Sequence, residues 1–129
     1  MVTSLNNRED NMMDEHNIPL FENKHIRMAL YKEELLFSIV DICAVLTNSS
    51  DPPAYWRKLK KRLIAEGNET VTNCYGLRMT AVDGKKRITD VANTEQLLHL
   101  IQFIPSQKTE SFKLWLASIG GDRMMDKNK

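Results

Sequence analysis

The sequence DPPAYWRKLKKRLIAE, residues 51–66, predicts one short helix. Asp51 has the side chain to cap its first turn. Pro52 and Pro53 are tolerated there because the missing proline N–H groups would have no helical partner. Good helix formers follow, and Gly67-Asn68 predicts the end of the helix.

The two sides of this helix differ in chemistry. At about 100° per residue, three apolar side chains share one narrow stripe that we expect to face the core: Trp56, Leu59 and Leu63. Lys60 falls on the flank, and four cations fall opposite the stripe: Arg57, Lys58, Lys61 and Arg62. Like charges at this spacing repel, which favours an external polyanion such as phosphate as their partner. The alternative is an inert, solvated basic face.

The charge of the whole chain makes this cluster stand out. The 129 residues carry 18 Lys and Arg against 17 Asp and Glu, a formal net charge of +1. Without the cations from Arg57 to Arg62, 13 remain against 17 anions. A basic patch on a mildly acidic body indicates a directed contact. Length and an apolar content of 42% indicate one globular domain.

Composition also argues against several other classes of protein. The two cysteines, Cys43 and Cys74, lack CxxC spacing and fit a reducing, cytoplasmic setting, with Cys43 a buried thiol. The histidines His16, His25 and His99 show no ligand spacing, so we expect no metal and no cofactor. The start has no signal-peptide core, and no apolar run is long enough to span a membrane.

The N-terminal half predicts a lead, a hairpin and a helix. Residues 1–17 are polar and aperiodic, which predicts disorder. Residues 18–31 alternate as one strand, and Lys32-Glu33-Glu34 turns the chain into a second strand ending at Phe37. Residues 38–47 have helical spacing, with Ser38 and Asp41 in the form of a capping box. This helix and the basic helix, joined by residues 48–51, resemble a helix–turn–helix scheme.

The apolar side of the first helix is expected to comprise Ile39, Ile42, Cys43 and Leu46. A second hairpin is predicted from Tyr75–Val82 and Lys85–Val91, on either side of Asp83-Gly84. It carries four cations, which form a second candidate phosphate contact: Arg78, Lys85, Lys86 and Arg87. The alternative is a charged sheet edge that resists aggregation.

Two more helices complete the predicted fold. Residues 94–103 form the first, with Leu97, Leu98 and Ile101 inward, and Ile104-Pro105 ends it. The second starts at Ser106, stops at Gly120-Gly121, and has an apolar stripe of Phe112, Trp115, Leu116 and Ile119. We therefore expect an α+β domain over residues 18–120, in which a small antiparallel sheet from two hairpins packs with about four helices. A disordered tail, residues 121–129, would follow.

Three segments resemble the N-terminal domain of the BRO family, which occurs in baculovirus repeated-ORF proteins, phage antirepressors and bacterial proteins of the DNA-damage-inducible protein D type. Residues 36–46 resemble the family's aromatic-ended strand leading into a helix with an early aspartate. Residues 55–63 and 104–117 are similar to the basic segment and closing helix of the bacterial subgroup. The resemblance spans about residues 18–120 and implies DNA binding or an antirepressor role.

Two binding functions follow. In the first, a DNA-binding module contacts double-stranded DNA through the helix cations and the hairpin cations, with Arg57 and Asn48-Ser49 as candidate base readers. In the second, the basic face binds an acidic surface of a repressor without DNA contact. Tyr55 and Tyr75 are candidates for stacking on single-stranded nucleic acid. A homodimer is a further candidate assembly.

Catalysis is not expected. His99 lies among apolar residues of a predicted helix, Asp41 has a capping role, and no glycine-rich phosphate loop is present.

Overall fold

The structure is a computed structural model that describes the backbone of residues 20–128 and the side chains of residues 20–119. The predicted lead, residues 1–17, and the side chains of the predicted tail, residues 121–129, lie outside these ranges, so the predicted domain boundaries stay predictions. The elements in chain order are β1 (Leu20–Phe21), β2 (Lys24–His25), β3 (Met28–Tyr31), β4 (Glu34–Ser38), α1 (Ile39–Thr47), α2 (Pro52–Ala65), α3 (Glu69–Thr72), β5 (Tyr75–Thr80), β6 (Lys86–Ala92), α4 (Thr94–Leu100), a 3-10 turn (Ile101–Phe103) and α5 (Thr109–Asn128).

Two hairpins form the main sheet, and together with the helices they confirm the predicted α+β class. Strands β3 and β4 are joined by Lys32-Glu33, both with positive φ, as a tight hairpin turn requires. Strands β5 and β6 form the second hairpin. The inner strands β4 and β6 pair antiparallel at Phe37 with Ala92 and at Ser38 with Val91, which gives the order β3-β4-β6-β5.

The two faces of this sheet carry separate apolar clusters. Phe37 and Ala92 belong to the large core that the helices share. The opposite face holds a smaller buried cluster of strand residues: Ala29, Leu36, Met79 and Val91. Tyr31 of β3 and Tyr75 of β5 meet edge to face, with ring centroids 6.4 Å apart. Since these residues lie on the two outer strands, the sheet curls over the smaller cluster.

The predicted apolar faces of α1, α2 and α5 are confirmed. All four apolar residues predicted for α1 are buried, as are Trp56, Leu59 and Leu63 of α2. In α5, Phe112 and Leu116 are buried while Trp115 and Ile119 pack against the core. Burial raises the pKa of the Cys43 thiol to about 12, so it stays protonated as an inert core residue.

A mostly buried ion pair connects the first hairpin to α1 and to the second hairpin. Asp41 accepts from Arg27 at the backbone N (2.8 Å), Nε (2.8 Å) and Nη2 (3.0 Å). Arg27 Nη1 donates to the carbonyl of Thr80 at 3.0 Å, and Nη2 donates to Ser38 Oγ at 3.2 Å. The two side chains are only 20% and 17% exposed. Arg27 therefore joins β4, α1 and β5.

The same contacts correct the capping-box prediction. Ser38 does cap α1, because its Oγ accepts the backbone N–H of Asp41 at 3.3 Å. The Asp41 carboxylate does not return to the Ser38 N–H, which instead donates to the Arg27 carbonyl at 2.9 Å. The capping-box pattern thus predicted the hydrogen bond from the Asp41 N–H to Ser38 correctly. The partner that it predicted for the Ser38 N–H is replaced by Arg27.

The strand predicted over residues 18–31 is wrong as a single element. Glu22 and Asn23 both have positive φ, so the chain reverses and β1 pairs with β2 as a short two-stranded sheet. Phe21 is thereby brought edge to face against Phe112. Regular alternation resumes only in β3.

The last two helices differ in phase and length from the prediction. The Asn93-Gln96 capping box sets the start of α4, and this phase buries Leu97 and Leu100 but leaves Leu98 48% exposed. Ser106 Oγ accepts the Lys108 N–H in a turn, so α5 begins at Thr109 rather than Ser106. The helix also continues through Gly120-Gly121 to Asn128.

We predict that Asp41→Asn lowers the free energy of unfolding by about 2–4 kcal/mol, because a mostly buried guanidinium loses its counter-ion. Urea denaturation measures the change. The double variant Arg27→Met/Asp41→Leu serves as control and should recover part of the loss, since an apolar pair can replace a buried ion pair. A free energy of unfolding for Asp41→Asn within about 0.5 kcal/mol of wild type would contradict a stabilising role for the Arg27–Asp41 pair.

Candidate nucleic-acid interface

Helix α2 presents its cations to solvent because its apolar stripe is anchored in the core. Asp51 Oδ1 accepts the Ala54 N–H at 3.1 Å and caps the helix as predicted. Trp56 and Leu63 are buried against the core cluster. Four cations on the remaining surface are exposed: Arg57, Lys58, Lys61 and Arg62. The separation of apolar and basic sides read from the sequence is thus present in the structure.

The cations of α2 differ in their partners. Lys60 Nζ lies 2.9 Å from Asp90 Oδ2, in an ion pair with β6. Arg62 lies 3.9 Å from Glu66, and both side chains are more than half exposed, so water weakens this pair. Among the residues that the structure describes, no ion pair involves Arg57, Lys58 or Lys61. Lys60 is therefore engaged inside the molecule, whereas these three cations face outward.

Asp90 sets the position of α2 beside the second hairpin. Its Oδ2 accepts from Trp56 Nε1 at 2.8 Å as well as from Lys60 at 2.9 Å. Both donors belong to α2 and the acceptor to β6, so one carboxylate joins the two basic elements. Sequence reasoning missed Asp90; the only signal was a single acid in an otherwise basic strand.

The tip of the second hairpin is a loop closed by backbone hydrogen bonds. Ala81 N–H donates to the Lys85 carbonyl at 2.8 Å, and Gly84 takes a φ of +86° that glycine adopts without strain. Asp83 accepts the Lys85 N–H at 3.0 Å and forms an ion pair with Arg87. The Lys85 N–H, and then the Arg87 guanidinium, lower the pKa of Asp83. Because the loop needs these residues, the strands end at Thr80 and Lys86 rather than at Val82 and Lys85 as predicted.

Strand register divides the hairpin cations between two faces. Arg78 pairs with Ile88 and Lys86 with Thr80, so both cations share the face that carries Asp90 and thus α2. Arg87 lies opposite Met79 on the other face and pairs with Asp83. Lys85 lies in the loop and is exposed.

A groove of about 970 Å³ separates α2 from the hairpin. Arg57 lines one wall, Arg87 and Ile88 line the other, and Arg27 with Asp41 contributes to its lining. On the helical wheel, Lys58 and Arg62 lie on the side of α2 away from Lys60 and its hairpin partner. The structure therefore places Arg57 on the side of α2 that faces the hairpin, and Lys58 and Arg62 further around the helix.

The candidate base readers and stacking residues have local structural roles. Asn48 ends α1 with a positive φ and accepts from Lys24 Nζ at 3.4 Å, while Ser49 Oγ accepts the Asp51 N–H at 3.1 Å. Tyr55 packs against the core. Tyr75 is 46% exposed and the freer of the two tyrosines, although its ring contacts Tyr31.

A comparison of the sequence with known protein families identifies the family of this domain. Residues 25–119 match the BRO family, N-terminal domain. The chain belongs to the BRO family. No curated protein and no solved structure matches it. Within the described residues of this BRO domain, no helix is both long and apolar enough to cross a bilayer, and no three His, Cys, Asp or Glu side chains cluster in a way that could hold a metal ion.

We predict that Asp90→Ala lowers the free energy of unfolding by about 1–3 kcal/mol, because the buried Trp56 indole N–H loses its acceptor. Asp90→Asn should cost less, since its amide oxygen can still accept from the indole. Urea denaturation followed by tryptophan fluorescence separates the two variants. Equal stabilities for both variants and wild type would contradict the proposed link between α2 and β6.

Proposed function

We propose that this BRO domain binds double-stranded DNA as part of an antirepressor-like or DNA-damage-inducible-type regulatory protein. Phosphates would contact α2, and the second hairpin would contact the same duplex. The BRO family is associated with phage antirepressors and DNA-binding regulators. The observation that carries the proposal is the outward-facing group Arg57, Lys58 and Lys61, which has no carboxylate partner among the described residues.

The ion pairs set the expected number of phosphate contacts. With Lys60 held by Asp90, four cations of α2 remain for DNA: Arg57, Lys58, Lys61 and Arg62. If all four neutralise phosphates, the slope of log K against log salt is about −3.6 from the helix alone. The slope would steepen to about −4.5 only if Lys60 left Asp90 and also contacted a phosphate. The hairpin cations Arg78 and Lys86, which share the α2 side, would add to the slope.

Phosphate contacts position a protein without selecting a sequence. Arg57 is the candidate base reader of this proposal because it lines the groove next to the hairpin and lacks an ion-pair partner within the described residues. Its guanidinium can donate two hydrogen bonds to guanine O6 and N7 in the major groove. Asn48 and Ser49 are less suitable, since both side chains already accept intramolecular hydrogen bonds.

The role we propose is binding and not catalysis. The His99 side chain is exposed and lies edge to face with Phe103, 5.6 Å between ring centroids. Asp41 is occupied by three donors of Arg27.

The second candidate is an interaction with an acidic surface of a repressor. The lining of the groove supports this candidate. Apolar residues, among them Pro52, Pro53 and Ile88, lie beside Arg57 in the groove. A protein segment with apolar and acidic side chains would fit such a lining. The two functions are distinguished by duplex binding at low salt. The DNA-binding function requires it, and the interaction with a repressor does not.

We predict that Lys58→Glu/Lys61→Glu/Arg62→Glu abolishes duplex binding while the melting temperature stays near that of wild type, because these side chains are exposed. Fluorescence anisotropy with a labelled duplex over a salt series measures the loss. The control Lys24→Glu/Lys32→Glu/Lys113→Glu changes the net charge equally at exposed positions outside α2 and the hairpin. Unchanged affinity of the α2 variant would refute the DNA proposal. Binding of poly-glutamate without binding of duplex at low salt would favour the repressor alternative.

A further inference from the structure

The apolar side chain at the tip of the second hairpin has no structural role in the fold. Val82 is fully exposed, at 109% of its reference area, and Ile88 on the adjoining strand is 66% exposed. Both line the groove beside α2. An isolated exposed valine is ordinary on a protein surface, so its surroundings decide whether it has a function.

The tip combines a fixed shape with positive charge. The Ala81–Lys85 and Gly84–Ala81 backbone hydrogen bonds, at 2.8 and 2.9 Å, close the loop on either side of Val82. Asp83 fixes the loop further through the Lys85 N–H. Valine is itself stiff at χ1, so holding it in one orientation costs little entropy. The hairpin carries four exposed cations, of which Arg87 is paired with Asp83 at the tip: Arg78, Lys85, Lys86 and Arg87.

We propose that Val82 is a wedge that inserts between neighbouring base pairs of a DNA duplex and bends it; this rests on the proposed DNA binding. The cations on both strands of the hairpin would contact the phosphates on either side of a DNA groove. The apolar tip would then enter the base stack. Proteins that bend DNA from the minor groove use apolar wedges on basic elements in this way and produce bends of about 20–90°.

The charge around the tip identifies DNA as its occupant. A second copy of the chain would bring the same four cations against these four, and the repulsion would oppose tip-to-tip contact. A duplex offers phosphates for the cations and stacked bases for the valine. Unstacking one step costs a few kcal/mol, which the contacts of α2 with the bent duplex would offset.

Duplexes carrying 2-aminopurine report unstacking directly, since its fluorescence rises when stacking is lost. A set of such duplexes, with the probe moved one step at a time, is titrated with wild-type protein, Val82→Ser and the control Leu114→Ser. Leu114 is an equally apolar, 74% exposed residue on α5, outside the groove. A donor and acceptor pair on the duplex ends measures bending in the same samples.

The expected result is a fluorescence rise at one step and a shortened end-to-end distance with wild type and Leu114→Ser. With Val82→Ser we expect neither signal, an affinity lower by about tenfold as the lost burial of a valine implies, and an unchanged salt slope. Val82→Leu should restore the signals.

Three outcomes overturn the proposal and are distinguishable. If wild type binds duplex with a steep salt slope but neither unstacks nor bends it, and Val82→Ser behaves identically, the wedge is wrong and DNA binding stands. If wild type fails to bind any duplex at low salt, both proposals are wrong. Loss of self-association in Val82→Ser without any duplex signal would assign the tip to a second copy of the chain.

Discussion

A single carboxylate oxygen of Asp90 fixes the relation between the two basic elements of this domain. It accepts from the indole and the ammonium of two α2 residues, Trp56 and Lys60, at 2.8 and 2.9 Å. Because Trp56 also belongs to the apolar stripe of α2, the hydrogen bond and the core packing orient the helix together. The hairpin face that carries Asp90 also carries Arg78 and Lys86. The link therefore places the basic side of α2 beside the basic hairpin.

Ion pairs divide the cations into structural and outward-facing groups. Arg27 and Lys60 each satisfy a partly buried acid and so stabilise the fold. Arg87 is paired with Asp83 at the tip of the hairpin. The exposed cations of α2 lie opposite the apolar stripe, which is buried in the core. A cluster of like charges is tolerated on a short helix when tertiary packing supplies its stability.

Local features of the fold could be read from the sequence, and long-range ones could not. The stripe Trp56, Leu59, Leu63 and the cap Asp51 depend only on spacing within α2, and both were predicted correctly. The turn at Glu22-Asn23 was missed because alternation on both sides of it continues the strand pattern. Leu97 and Ile101 are buried as predicted, but Leu98 is exposed, and Leu100 is buried in its place. The roles of Asp41 and Asp90 require partners distant in sequence, which no spacing rule supplies.

The central claim is that α2 and the second hairpin contact one duplex together. The most direct measurement is an NMR titration of the ¹⁵N-labelled domain with a short duplex. The account predicts that amide signals of residues 57–62 and of residues 81–88 shift together and saturate at one duplex per domain. Shifts confined to α4 and α5, or to only one of the two basic elements, would contradict it.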